Sequence, residues 1–301
     1  MCRAPPRQGA PGVASWACAA WLWVLIVSWP LALRTRYERV FPAEWYAETE
    51  PGERPRALGL LLGLFAVAWG HVFVVAYQYA RWRGSRVFGP LVKVQPNEER
   101  TYEFSEGVAT HLFQPEGFVV LGLYLSATWL CGWMPRSYYR FDGGIEWAKV
   151  AMCLLVQDAL QFAMHRLEHS VSPSFYKSSH KPHHRFTNPR TFDAFNGSLA
   201  DTLLMILVPL FATAWIVRCN VWSYMTFGTL YANWLVLIHS EYHHLWDPVF
   251  LMLKFGTAAD HHVHHKLFIK NYGHLFMYWD LMCGTYKDPR GVRVFHPKNV
   301  L

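Results

Sequence analysis

Five stretches of the chain are apolar for long enough to form buried or membrane-crossing helices, and polar breaks separate them. Residues 16–33 follow a basic, acid-free segment, 1–15, that carries Arg3 and Arg7. Eighteen apolar-dominated residues with Trp16, Trp21, Trp23 and Trp29 predict an anchoring helix rather than a cleaved signal. Residues 57–80 are the cleanest spanning segment, ending at Arg81-Trp82-Arg83. Residues 117–134 form a third, stopped by Pro135-Arg136, and 145–164 a fourth that carries Asp158 and runs into His165. The longest stretch, 199–238, breaks at Arg218-Cys219-Asn220. That length predicts two helices of about 20 residues, 199–217 and 221–238, joined by a tight turn. The expected architecture is all-α and membrane-integral, with four to six transmembrane helices, divided into an anchoring region 1–140 and a second region 141–301.

Composition agrees with a lipid-facing surface. Charged residues make up only 16% of the 301, against roughly a quarter in soluble proteins, while 52% are apolar and 15 are Trp. The net charge is +7, and with so apolar a chain its basic partner is expected to be a membrane surface and not nucleic acid. Six Cys are scattered without a C-x-x-C, so neither a disulfide framework nor a zinc ribbon is implied. Residues 239–301 are polar and basic, with Lys254, Lys266, Lys270, Lys287, Arg290, Arg293 and Lys298, which assigns that face to the cytosol.

Histidine is where the chain departs from an ordinary membrane protein. Of 16 His, 12 fall between His165 and His265, in four clusters. His165 and His169 form an H-x3-H, and His180, His183 and His184 an H-x2-H-H. His239 and His243 form a second H-x3-H, and His261, His264 and His265 a second H-x2-H-H. Residues three and four apart share a helix face, so each cluster can aim its imidazoles at one point. The helical hairpin over 199–238 crosses twice, which returns the last two clusters to the face of the first two. One metal ion rarely takes more than about six ligands, so ten imidazoles imply two ions. Imidazole suits Fe, Zn, Cu or Ni, and the absence of nearby Cys disfavours thiolate sites. Lone histidines such as His71 and His111 read as ordinary hydrogen-bonded residues.

Asp158 precedes His165 by seven residues and His169 by eleven, placing all three within about 20° of one helical stripe. A carboxylate in an apolar run is costly and usually functional, and orienting a ligand imidazole is its expected use. Gln161 is placed for a similar role. Glu168 and Glu241 lie inside clusters, where a solvated helix-face charge is the commoner reading.

These residues resemble the fatty acid hydroxylase/sterol desaturase superfamily over roughly 145–290. The resemblance lies in the Asp158-to-His165 spacing, H-R-x-x-H at 165–169, H-K-P-H-H at 180–184 and H-x2-H-H at 261–265. It continues through Phe268-Ile269-Lys270-Asn271-Tyr272-Gly273 and Trp279-Asp280 to Gly284-Thr285-Tyr286. Where many relatives carry His-Pro after the second cluster, followed by an acid, this chain has Ser198-Leu199 and then Asp201.

The resemblance implies a di-iron centre held by His165, His169, His180, His183, His184, His239, His243, His261, His264 and His265 on a cytosolic helical cap. His244 and His262 match positions outside the ligand set. It implies O2 as co-substrate, electrons from a cytochrome b5-type or NAD(P)H-linked donor, the endoplasmic reticulum membrane, and hydroxylation or desaturation of a lipid. His-x3-His-His at 239–244 is similar to fatty-acyl 2-hydroxylases, whereas H-K-P-H-H and G-T-Y-K-D-P are more similar to sterol C-5 desaturases. Sterol is the first expected substrate, fatty acyl or sphingoid lipid the second. Phe162, Phe192, Phe195 and Trp234 are placed to line its path. The rival classes are a non-redox membrane metal-binding or transport protein, which would bury its ionisable residues at the bilayer midplane, and a purely structural one.

Overall fold

The computed structural model describes residues 11–49, 53–84, 91–96, 103–114 and 117–295. Residues 1–10 and Lys298, which carry much of the terminal basic charge, lie outside them. Among the described residues the fold is helical, with no strand and two isolated bridges. Helix α1 is Val13–Arg34, α2 Ala57–Arg83, α3 Phe104–Leu112, α4 Phe118–Leu130 and α5 Trp147–Ser170. Helix α6 runs over Leu199–Val217, and its π-helical stretch Thr202–Leu207 sits near its start. Helix α7 is Val221–Leu237, and three short helices follow: α8 Asp247–Leu253, α9 Ala258–Leu267 and α10 Tyr278–Cys283.

Helices α1, α2 and α6 are long and apolar enough to cross a membrane, and the apolar stretch Val119–Leu130 in α4 is shorter. Helix α7 is different in kind. Nearly all its side chains are buried, and it packs against α1, α2 and α5. A helix apolar on every side is the core helix of a bundle. Its start is fixed by Asn220, whose side chain accepts from the Ser223 N–H, after Arg218 turns the chain through a left-handed residue. Helices α6 and α7 both pack on α5. The turn at 218–220 therefore returns the chain along α5, and the residues beyond α7 meet those at the end of α5.

A cleft lies among α2, α4, α6 and α7, bounded by apolar residues such as Val67, Leu121, Leu210 and Met225. Its lining also includes Val236, three residues before His239, and Phe195, next to Asn196. Of the aromatics expected on a lipid path, Phe195 lines the cleft. Phe192 packs on Phe104 and His111, Trp234 on Trp23 and Phe250, and Phe162 on Tyr272, so these three serve packing.

Candidate metal centre

Three kinds of local structure deliver the histidines. Helix α5 carries His165 and His169 on its last turns, one turn apart on the same face. The turn after the short helix Pro173–Ser178 presents His180, His183 and His184. Helix α9 supplies His261, His264 and His265; it is started by a capping box in which Thr257 and Asp260 bond each other's backbone N–H. His239 stands just past the end of α7, with its Nδ1 donating to the Leu235 carbonyl at 2.8 Å.

The imidazoles converge as two groups. His165, His169, His180, His184 and His264 form one, and His183, His239, His261 and His265 the other; within each group the ligand atoms lie within 4.8 Å of one another. The groups adjoin, since the His184 and His265 ring centroids are 4.9 Å apart.

Where both rings of a pair have the Nδ1 proton engaged elsewhere, as in His165 with His180 and His239 with His183, hydrogen bonding does not explain how close their Nε2 atoms stand. His165 donates from Nδ1 to the Tyr272 carbonyl at 2.7 Å, and His180 from Nδ1 to Asp201 Oδ1 at 2.8 Å. With the protons held there, both Nε2 atoms carry lone pairs, yet they stand 2.9 Å apart. His264 is likewise committed at Nδ1 to the Lys270 carbonyl. In the second group, His239 Nε2 is 2.9 Å from His261 Nε2 and 3.3 Å from His183 Nε2. Facing lone pairs repel unless a cation lies between them. Imidazoles bound at roughly 2.1 Å and about 90° apart have neighbouring nitrogens about 3.0 Å apart. The donor set therefore fits two metal ions.

Burial, and after it the charge of neighbouring imidazoles, holds His184, His261, His264 and His265 well below the ordinary imidazole value. Burial lowers His169 to about 3 and His183 to about 4. Neutral imidazoles are the form that ligates metal. Beside His180, Glu168 is fully buried, and burial followed by repulsion from Asp201 pushes its carboxyl up. The expectation of a solvated Glu168 is thus overturned. Glu241 accepts the Thr191 N–H at 3.1 Å and is tied to Gln78, which makes it a brace between segments.

Comparison with known proteins agrees with this chemistry. The fatty acid hydroxylase family model matches residues 150–285, a span that contains all nine converging histidines. The alternative squalene epoxidase of Phaeodactylum tricornutum is 52% identical over 296 residues, covering 93% of this chain and 85% of that protein. The chain belongs to the fatty acid hydroxylase family. Methylsterol monooxygenase 1 of Danio rerio is 26% identical over 73% of this chain and 83% of its own length. Cholesterol 25-hydroxylase of Mus musculus is 31% identical over 46% of this chain and 47% of its own length. No solved structure is detectably similar. As a member of this family the protein is an oxidoreductase.

Nine of the ten histidines expected as ligands come together; His243 does not. Its Nδ1 lies 3.3 Å from Asp247, outside both groups. The H-x3-H spacing aligns two residues only on a helix, and the chain has left α7 before His239. His244 bonds Tyr77 and the Leu237 carbonyl, and His262 bonds Gln95 and the Ser240 carbonyl, which leaves both outside the groups. Asp158 also differs from expectation. It accepts the Leu275 and Phe276 N–H groups at 2.8 and 2.9 Å and the Trp279 indole at 2.9 Å. It fixes the loop below the centre, while Asp201 orients the imidazole of His180. Gln161 accepts from the Tyr231 hydroxyl. His274, buried against the rings of His165 and His261, has no partner at helical spacing that would single it out in the sequence. His71 and His111, far apart in sequence, pair at 2.6 Å in the wall of the cleft.

Proposed function

We propose that the protein is a di-iron monooxygenase that epoxidises squalene or a similarly long, apolar isoprenoid lipid. The observation that carries this reading is an apolar cleft, lined in part by Val236 three residues before His239, together with nine convergent imidazoles. The name of the relative at 52% identity supports the substrate class. Two iron ions held by the histidine groups would supply O2 activation at an otherwise unreactive alkene or C–H position. Balanced, the reaction takes one alkene, O2, two electrons and two protons to an epoxide and water.

The chain's own residues bind, orient and keep out water. Helices α2 and α4 of the 1–140 region wall the cleft together with α6 and α7, so this region does more than anchor the protein. The lipid enters from the bilayer and lies along α7, with Val236 and Phe195 positioning one end toward His183 and His239. Apolar lining of this extent fits a hydrocarbon chain and excludes bulk water. Nδ1 donation to the Tyr272, Lys270 and Leu235 carbonyls and to Asp201 keeps Nε2 of His165, His264, His239 and His180 aimed inward. The basic 239–301 segment supports a centre on the cytosolic face of the endoplasmic reticulum membrane, where a cytochrome b5-type or NAD(P)H-linked donor would deliver electrons.

The test is turnover by full-length protein in membranes that supply a reductase. With 18O2 and squalene, the expected product is a monoepoxide carrying one 18O. An 18O-labelled alcohol, or an unlabelled alkene, formed from an added sterol with squalene returned unchanged would replace this substrate with a sterol.

A further inference from the structure

Helix α7 carries Asn233 one turn before its end at Leu237, in the wall of the apolar cleft and only 1% exposed. A neighbour orients its amide. Nδ2 donates to the Thr229 carbonyl at 2.8 Å, and the reverse placement would set two oxygens against each other. Oδ1 is therefore the atom left over, buried and without a hydrogen-bond partner among the described residues. Buried polar groups are nearly always hydrogen-bonded, because taking them out of water unpaired is costly. An amide oxygen has lone pairs and no proton, so the group that completes it must be a donor.

The cleft turns polar at this level. An added Cβ on Gly70 would stand 3.4 Å from Asn233 Nδ2, so α2 and α7 meet closely there. His71, the next residue on α2, also lines the cleft and pairs through Nδ1 with His111 Nε2 at 2.6 Å. Elsewhere the lining hydroxyls are committed within the protein: Tyr231 donates to Gln161, Tyr224 donates to the Leu210 carbonyl, and Tyr124 lies against Tyr224. Between Asn233 and Tyr224 along α7, Gly228 leaves room, since a Cβ there meets nothing within 4 Å. The ligand that fits is a long apolar body with one O–H group at the end nearer the histidines.

We propose that Asn233 anchors a lipid alcohol in this cleft. The hydroxyl donates to Oδ1, and the apolar body lies along α7 toward Tyr224, where it excludes a hydrocarbon. The binding site goes beyond the epoxidase reading and stands apart from it, because it concerns the cleft and not the reaction. A regulatory consequence does rest on that reading. Proton-assisted opening of an epoxide leaves a hydroxyl, so lipid alcohols are the class of compound that later reactions make from such a product. They would compete with its precursor for one cleft.

The experiment measures direct binding of tritiated lipids to full-length protein purified in detergent, in two series. One is cholestanol, cholestane and cholestanyl methyl ether; the other is geranylgeraniol, its parent hydrocarbon and its methyl ether. In at least one series the alcohol should bind about 5–10-fold more tightly than the hydrocarbon. The ether, which keeps the oxygen but has no proton to donate, should bind like the hydrocarbon. The series that shows this names the source of the alcohol. Asn233→Leu, of similar volume, should bring alcohol and hydrocarbon of that series to the same affinity. Equal affinities of alcohol and hydrocarbon in both series with wild type would overturn the proposal before any variant is made. So would an ether that binds as tightly as its alcohol, or an alcohol preference that survives Asn233→Leu. Alcohol preference in a protein that leaves squalene unchanged would sink the epoxidase reading and uphold the site.

Discussion

Each ligand imidazole whose Nδ1 proton is bound to the protein is aimed by that bond, so single substitutions at those acceptors should act on metal affinity before they act on the fold. Asp201 is the clearest case, because it is the only side-chain acceptor holding a ligand in this way among the described residues. Asp201→Asn removes the charge but not the volume, and metal content should fall by about 10–100-fold in affinity while melting changes little. Chelator competition checks it. His243, which bonds Asp247 away from the ions, gives the opposite expectation: His243→Ala should retain two metals per chain and turnover within about twofold. The depressed imidazoles also set the pH response of the metal-free protein. His183 is held near 4, against an unfolded value near 6.5, so between those limits the unfolded chain binds a proton that the folded chain refuses. Stability is therefore full above about 6.5 and is lost as pH falls toward 4, at about 1.4 kcal/mol per pH unit for each such group. Thermal melts of metal-free protein at pH 7.5 and 5 should show a marked drop, and a flat profile would contradict the burial of these rings.

At the scale of elements, the centre is only as ordered as the helices beneath it. Helix α2 meets α4 where Gly59 faces Trp129, and a Cβ on Gly59 would stand 1.6 Å from the indole. Gly59→Ala should cost about 1–3 kcal/mol through overpacking, and Trp129→Phe added to it should recover part of that loss. Melting of the two single variants and the double variant checks this. The histidine pattern was legible where the chain is helical: His165 with His169, and His261 with His264 and His265, share faces by helical periodicity. The hairpin's consequence, that clusters on either side of 199–238 meet, also followed from the length of its apolar runs. What escaped sequence reasoning lies where no periodicity operates. His243 sits in a turn, so helical spacing misplaced it, and His274 stands alone on a loop. Asp158 does share the α5 stripe with His165, but its oxygens are used by backbone N–H groups more than a hundred residues away. Its burial was predictable and its partners were not.

In the whole molecule, two halves that lie apart in the sequence serve one site. The 1–140 region supplies walls of the cleft through α2 and α4, and the family-matched region supplies the imidazoles. Filling the cleft should separate their contributions. Gly228→Trp, at a position lining the cleft where a Cβ meets nothing within 4 Å, should leave both ions bound and abolish lipid turnover. Metal analysis beside product analysis distinguishes this from a damaged centre. The pair of ions is tested by Mössbauer spectroscopy of full-length protein purified from cells grown on 57Fe. The expected result is about two irons per chain, antiferromagnetically coupled in the oxidised state and bound by nitrogen. A single magnetically isolated iron, or none after anaerobic reconstitution with ferrous iron, would contradict it.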